Sequence, residues 1–70
     1  MFIKLVDRKS GHCVASGNVD STVIGRDEIA TILDNSRLHL DDFGNVRNIF
    51  GEFTIYHLQN LIAVRESVSA

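Results

Sequence analysis

Three histidines, one cysteine and a run of aspartates are the residues of this 70-residue chain that could do chemistry, and their spacing decides which chemistry. His12 and Cys13 adjoin each other. A cysteine nucleophile needs a base beside it and a cleft for substrate, yet neighbours on an extended strand point to opposite faces. His39 and Asp41, two apart, would share one face of a strand and could offer a metal two ligands. Neither spacing matches the paired cysteine or histidine patterns of zinc sites. Asp41-Asp42-Phe43-Gly44-Asn45 has a superficial likeness to a calcium loop. The alternate-residue ligands, the spacer and the closing glutamate of such a loop are missing, so turn chemistry accounts for the run better. No Gly-x-Gly-x-x-Gly or Walker pattern occurs. A domain of this size also has little room for a substrate pocket of the usual ~300 Å³ or more. The expectation is therefore a protein that is not an enzyme, with no catalytic residue, metal or cofactor. His12 then belongs to a turn, His39 and His57 lie half exposed on a sheet, and Cys13 is a small core residue.

Charge is the more informative pattern. Between Asp27 and Glu52 six acidic side chains stand against two arginines, whereas the first 26 residues carry four basic groups against two acidic ones. The middle is thus about −4 and the front +2, within a net charge of −2. A nearly neutral chain has no general attraction to nucleic acid or anionic lipid. Lys4, Arg8 and Lys9 are too few for a phosphate clamp. Glu28-Ile29-Ala30-Thr31-Ile32-Leu33, then Ser36, Leu40 and Phe43, has the spacing of a helix-turn-helix. Its second helix, from about Arg37 to Asn48, would present Asp41 and Asp42 where phosphate-contacting side chains normally lie, and carboxylates repel phosphates. The turn glycine of many such motifs is Asp34 here. Direct nucleic-acid binding is not expected.

Composition sets the bounds. Hydrophobic residues at 44% and charged residues at 23% are globular values, so the chain should fold. Residues 1–70 have room for one compact domain that buries roughly 60% of the surface exposed when unfolded. Cys13 alone cannot make an internal disulfide. Self-association into a homodimer is the remaining common device for stabilising so small a unit. No apolar run approaches the roughly 20 residues needed to span a bilayer, and the expected location is the cytoplasm.

The elements that must position these residues follow from periodicity. Phe2 to Val6 reads as a strand ending in the turn Asp7-Arg8-Lys9-Ser10-Gly11, and Cys13-Val14-Ala15 begins a second strand, giving an N-terminal β-hairpin. From Gly25 the period changes: Ile29, Ile32 and Leu33, with Ala30, line one face of a helix over Arg26 to about Ser36. Gly25 serves as its N-cap, with Glu28 three residues on. Leu38-His39-Leu40 then reads as a strand, Asp42-Phe43-Gly44-Asn45 as a turn and Val46 to Ile49 as a return strand. Thr54-Ile55-Tyr56 is a short connector and Leu61 to Val64 a closing strand, with Gln59-Asn60 as the break and Ser67 to Ala70 frayed. This is a small α+β domain in which one central helix packs on a mixed sheet. The alternative adds two further helices to the hairpin, since Leu40, Phe43, Val46, Phe50 and Phe53 also fall at helical spacings. Gly44 and Gly51 count against it, at about 1 kcal/mol each in a helix interior.

The order of elements is similar to that of ubiquitin-like β-grasp domains, in which a hairpin precedes a helix and a final strand returns near the start. The resemblance covers most of the chain, rests on pattern rather than on any motif, and implies fold only. A C-terminal di-glycine is missing, so conjugation is not expected. Function is expected to lie in contact. We expect a binding protein (an adaptor, regulator or inhibitor) that docks on a protein partner through Asp34, Asp41, Asp42 and Glu52, with Phe43 as an exposed aromatic anchor. A basic nucleic-acid-binding site on the partner would be complementary. A small dimeric helix-turn-helix regulator is the alternative. Small chains of this type are frequent among phage and mobile-element proteins, although no residue establishes that origin.

Overall fold

Strand β1 (Phe2–Asp7) owes its central place to alternation: Ile3, Leu5 and Asp7 face inward and are buried, while Phe2, Lys4 and Val6 face out. The computed structural model describes residues 1–51 and 54–66. β1 pairs antiparallel with β2 (Cys13–Asn18) on one side and with β6 (Leu61–Glu66) on the other, in the order β2-β1-β6. A second antiparallel sheet, in the order β3-β4-β5, is a meander of β3 (Leu38–Leu40), β4 (Asn45–Asn48) and β5 (Thr54–His57). One turn of 3-10 helix, Leu58–Asn60, carries the chain from β5 to β6 and so from the second sheet to the first.

Helix α1 (Arg26–Asn35) lies against both sheets, on β2 and on β3. It begins where Gly25 stands as N-cap and donates its N–H to the Glu28 carboxylate at 3.0 Å. With no cap side chain, only this return half of a capping box is available. Asp27 and Glu28 put negative charge at the positive end of the helix dipole. The helix ends sharply because Arg37 adopts a left-handed conformation, φ 61°, and its N–H reaches the Asp34 carbonyl at 3.1 Å. That reversal returns the chain along the helix as β3.

Ile32 and Leu33 of the helix, Ile3 and Leu5 of β1 and Val46 of β4 are fully buried, and Ala15, Val19 and Leu40 complete the core. Ile29 and Ala30 pack against it, as the 3.6-residue period requires.

The α+β class, the hairpin, the helix and the closing strand beside β1 are as the sequence implies. The mixed sheet is not: every described strand pair is antiparallel, in two sheets of three. Thr54–His57 is a strand rather than a connector, since it pairs with β4 through a bulge that leaves Ile55 without an opposite residue. The three-helix alternative fails over Arg37 to Asn48, which holds two strands and their turn. No helix among the described residues is long and apolar enough to cross a membrane.

Replacing Leu5 by alanine should cost about 3 kcal/mol, a large part of the few kcal/mol available to so small a core. The exposed Val23→Ala should change stability by under about 0.5 kcal/mol. Chemical denaturation of the two variants measures the difference, and equal midpoints would mean that β1 is not the centre of the core.

Candidate functional site

Asp41 closes β3, and its carboxylate organises the turn that follows. Oδ1 accepts the N–H groups of Phe43 at 2.9 Å and Asn45 at 2.8 Å, and Oδ2 accepts the Asn45 side-chain amide at 3.2 Å and Arg47 Nε at 3.3 Å. The Asp41 N–H donates to the Asn45 carbonyl at 2.9 Å, and Gly44 N–H donates to the Asp41 carbonyl at 3.2 Å. This is a three-residue hairpin loop with its last residue left-handed, a conformation that favours glycine. Gly44 fits, with φ +84°. It is also walled in, because a Cβ there would meet the His57 ring at 3.2 Å. Gly44 carbonyl accepts the Leu58 N–H at 2.7 Å, which ties the turn to the passage between the sheets. Arg26 at the head of α1 donates from Nη2 to the Asp41 carbonyl.

Partial burial acts to raise the Asp41 pKa, but the hydrogen bonds from Asn45, Phe43 and Arg47 outweigh it and hold the carboxyl down at about 2. Asp41 is therefore a structural group, paired with Arg47, and not a free charge. Asp42 and Phe43 stand on the tip of the turn, both exposed, Phe43 at 83%. Asp34 is exposed at the far end of α1, roughly 12 Å along the helix from Arg26 at 1.5 Å per residue. Glu52 lies outside the described residues. The five residues expected to form one negative footprint are thus divided: Asp42 and Phe43 share a tip, Asp41 holds that tip up from behind, and Asp34 is elsewhere.

Other carboxylates gather at the head of α1. Asp20, Asp27 and Glu28 line an open hollow of about 240 Å³ with Asn18, Val19 and Thr31, between the β2–α1 loop and the first turns of α1. Glu28 is engaged there by Gly25. The hollow is below the usual ~300 Å³ of a ligand pocket. No three His, Cys, Asp or Glu residues among those described converge as metal ligands. His39 stands opposite Arg47 in the β3–β4 ladder, and Arg47 in turn meets Asp41.

Cys13 is exposed rather than a core residue. A bulge is the reason. Leu5 pairs with Ala15 but Val6 pairs with Cys13, so Val14 is the extra residue. The inserted residue moves Cys13 from the inward to the outward face.

The turn after β4 repeats the turn after β3. Asn48 Oδ1 accepts the Phe50 N–H at 3.0 Å, the Asn48 carbonyl accepts the Gly51 N–H at 3.0 Å, and Gly51 has φ +70°. Phe50 is 76% exposed. Asp41-Asp42-Phe43-Gly44 and Asn48-Ile49-Phe50-Gly51 are one short motif used twice, seven residues apart. Phe43, Phe50 and Tyr56, close in sequence, do not gather into one aromatic cluster. Tyr56 packs on the core, and the two turns lie at opposite ends of β4, roughly 13 Å apart across its four residues. Phe53 lies outside the described residues.

Scans against protein-family models, curated proteins and solved structures give no match.

The Asp41 carboxyl ionises near 2 in the fold, against an ordinary 3.8. Its stabilising contribution is therefore complete above pH about 4 and is lost as pH falls through about 2. Asp41→Asn should be less stable at neutral pH and should lose the part of the acid sensitivity that lies between those values. Denaturation midpoints measured across pH 2 to about 6 test this, and parallel profiles for the two proteins would remove Asp41 from the role.

Proposed function

We propose that the protein is a cytoplasmic, non-enzymatic binding protein that docks on another protein through the braced turn carrying Asp42 and Phe43. The observation that carries this reading is Phe43, an aromatic side chain 83% exposed at a point where Asp41 fixes the backbone on both sides. A domain with so small a core gains about 2 kcal/mol by burying a large apolar side chain, and here that gain is left unused. A held aromatic anchor beside an unpaired carboxylate suits a partner pocket that is apolar at its base and basic at its rim. The partner could be a nucleic-acid-binding protein whose basic site is masked. Asp34 is left out of this footprint and Asp41 acts within it only by holding the turn.

The helix-turn-helix reading loses its second helix and is not carried further. Reversal of Asp41 is also unsuitable as a test of partner binding, because it would break the turn itself. Asp42 and Phe43 supply the test, since the Asp42 carboxylate has no hydrogen bond among the described residues. The double variant Asp42→Lys, Phe43→Ala should keep the far-ultraviolet spectrum and melting temperature of the parent. It should lose tenfold or more in affinity, about 1.4 kcal/mol or above, for whatever protein the parent captures stoichiometrically from its native cell. Equal capture by both chains would overturn the assignment.

A further inference from the structure

We propose that β6 is a pairing edge for a second copy of this chain, with the two strands antiparallel about a twofold axis through Ala63. This rests on the first sheet alone and is independent of the turn at Phe43.

β6 is unlike any other strand in how little covers it. All six of its residues pair one-to-one with β1 without a register shift, so the strand is well formed. Yet from Ile62 to Glu66 every residue is exposed. Ile62 is 41% and Val64 44% exposed on the outer face. Ala63 and Arg65 are exposed as well, although they stand opposite Leu5 and Ile3, which are fully buried. Among the described residues the core reaches β6 only at Leu61, and Arg65 crosses the inner face to donate to the Thr22 carbonyl at 2.9 Å, while Ile62, Ala63 and Val64 are left uncovered. Its free edge also presents the N–H and C=O groups of alternate residues.

Sheet edges of this kind are normally blunted by bulges, glycine, proline or charge. The opposite edge of the same sheet is blunted in that way. β2 carries the bulge at Val14 and a glycine at position 17, and α1 lies against it with Ile32 next to Gly17. β6 has no bulge, glycine or proline, and its charges are confined to the last two residues, where Glu66 is held by Lys4 at 2.8 Å. Leu61-Ile62-Ala63-Val64 is left as an uncharged run on an open edge.

A second β6 fits that run in one register. A twofold axis normal to the sheet keeps each face continuous only when residues of like face stand opposite, because side chains alternate along a strand. With the axis at Ala63, Ile62 stands opposite the partner's Val64, Val64 opposite the partner's Ile62, and Ala63 opposite the partner's Ala63. Four β-branched side chains then meet on the outer face, next to Val6 of each copy, which already pairs with Ile62. Cross-strand pairs of this type are favourable. The adjacent like-faced registers lose this match: centred on Val64, Ile62 would stand against the partner's Glu66, and centred on Ile62, Val64 would stand against the partner's Asn60, outside the strand. The product is a continuous six-stranded antiparallel sheet, β2-β1-β6 joined to its symmetry mate.

Analytical ultracentrifugation over a roughly hundredfold range around micromolar concentrations should show a species of twice 7.8 kDa at the upper end. Val64→Glu should abolish it with an unchanged circular dichroism spectrum, since the new carboxylate would stand opposite Lys4 within its own chain. In a Cys13→Ser background, Ala63→Cys should form disulfide-linked dimers at least tenfold faster than Ile62→Cys or Val64→Cys. If Val64→Glu fails to fold, the cysteine series decides. A chain that stays at 7.8 kDa throughout, or a dimer in which position 63 links no faster than positions 62 and 64, would overturn the proposal.

Discussion

The structure is governed by how little apolar material there is to close two sheets. Eight buried apolar side chains form the interior, and one helical stripe, Ile29, Ile32 and Leu33, must serve β2 of one sheet and β3 of the other. That stripe spans little more than one turn and cannot reach past β1 on one side or the ends of β4 on the other. What it leaves uncovered is correspondingly specific: β6 beyond β1, and the tips at Phe43 and Phe50. Phe43, Phe50, Ile62 and Val64 are exposed there, where the core runs out, whereas Val23 on the loop before α1 is a single exposed apolar residue of the ordinary kind.

Local polar groups do the work that a larger core would otherwise do. Asp7 accepts both the backbone N–H and the hydroxyl of Ser10, at 3.1 and 2.7 Å, and the hydroxyl bond holds its carboxyl below the usual range. Glu28 caps α1, and Asp41 ties its own turn to Arg47. Three of the nine acidic residues are thus committed to backbone geometry, and two of them, Glu28 and Asp41, belong to the negative block from Asp27 to Glu52. A count of charges along a chain cannot separate a carboxylate that accepts backbone N–H groups from one that faces solvent, although aspartate and asparagine two residues before a turn amide are the usual agents of such capture.

The helix was legible because three signals coincide at Gly25, Glu28 and the Ile29-Ile32-Leu33 spacing. The hairpin was legible because Gly11 follows a polar run between two alternating segments. Strand partnership was not, since alternation fixes which face of β6 is which but not the direction of its neighbour. Cys13 was misplaced by a single bulge residue, which no propensity marks. The repeated turn was hidden by a coincidence of period. Two copies of Asx-x-Phe-Gly seven residues apart put Phe43 and Phe50 at a spacing that also suits two turns of helix. Gly44 and Gly51, both left-handed, are what separate the two readings. The candidate site is half legible for the same reason: the sequence marks Asp42-Phe43-Gly44-Asn45 as a turn that begins at Asp42, whereas the turn begins at Asp41, whose carboxylate organises it.

The two surfaces that the small core leaves bare belong to different sheets, and this has a geometric consequence. Gly44 touches Leu58, just ahead of the start of β6. Two antiparallel β6 strands begin at opposite ends of their shared ladder, so pairing them would set the two Phe43 turns apart rather than bury them against each other. A dimer formed in this way would carry two identical anchors. A contact built on one aromatic and one carboxylate is weak by itself, but two such contacts on one rigid sheet act at an effective concentration set by their fixed separation. On the two proposals taken together, association through the strand would cover β6 and present two copies of the anchor, although neither proposal requires the other.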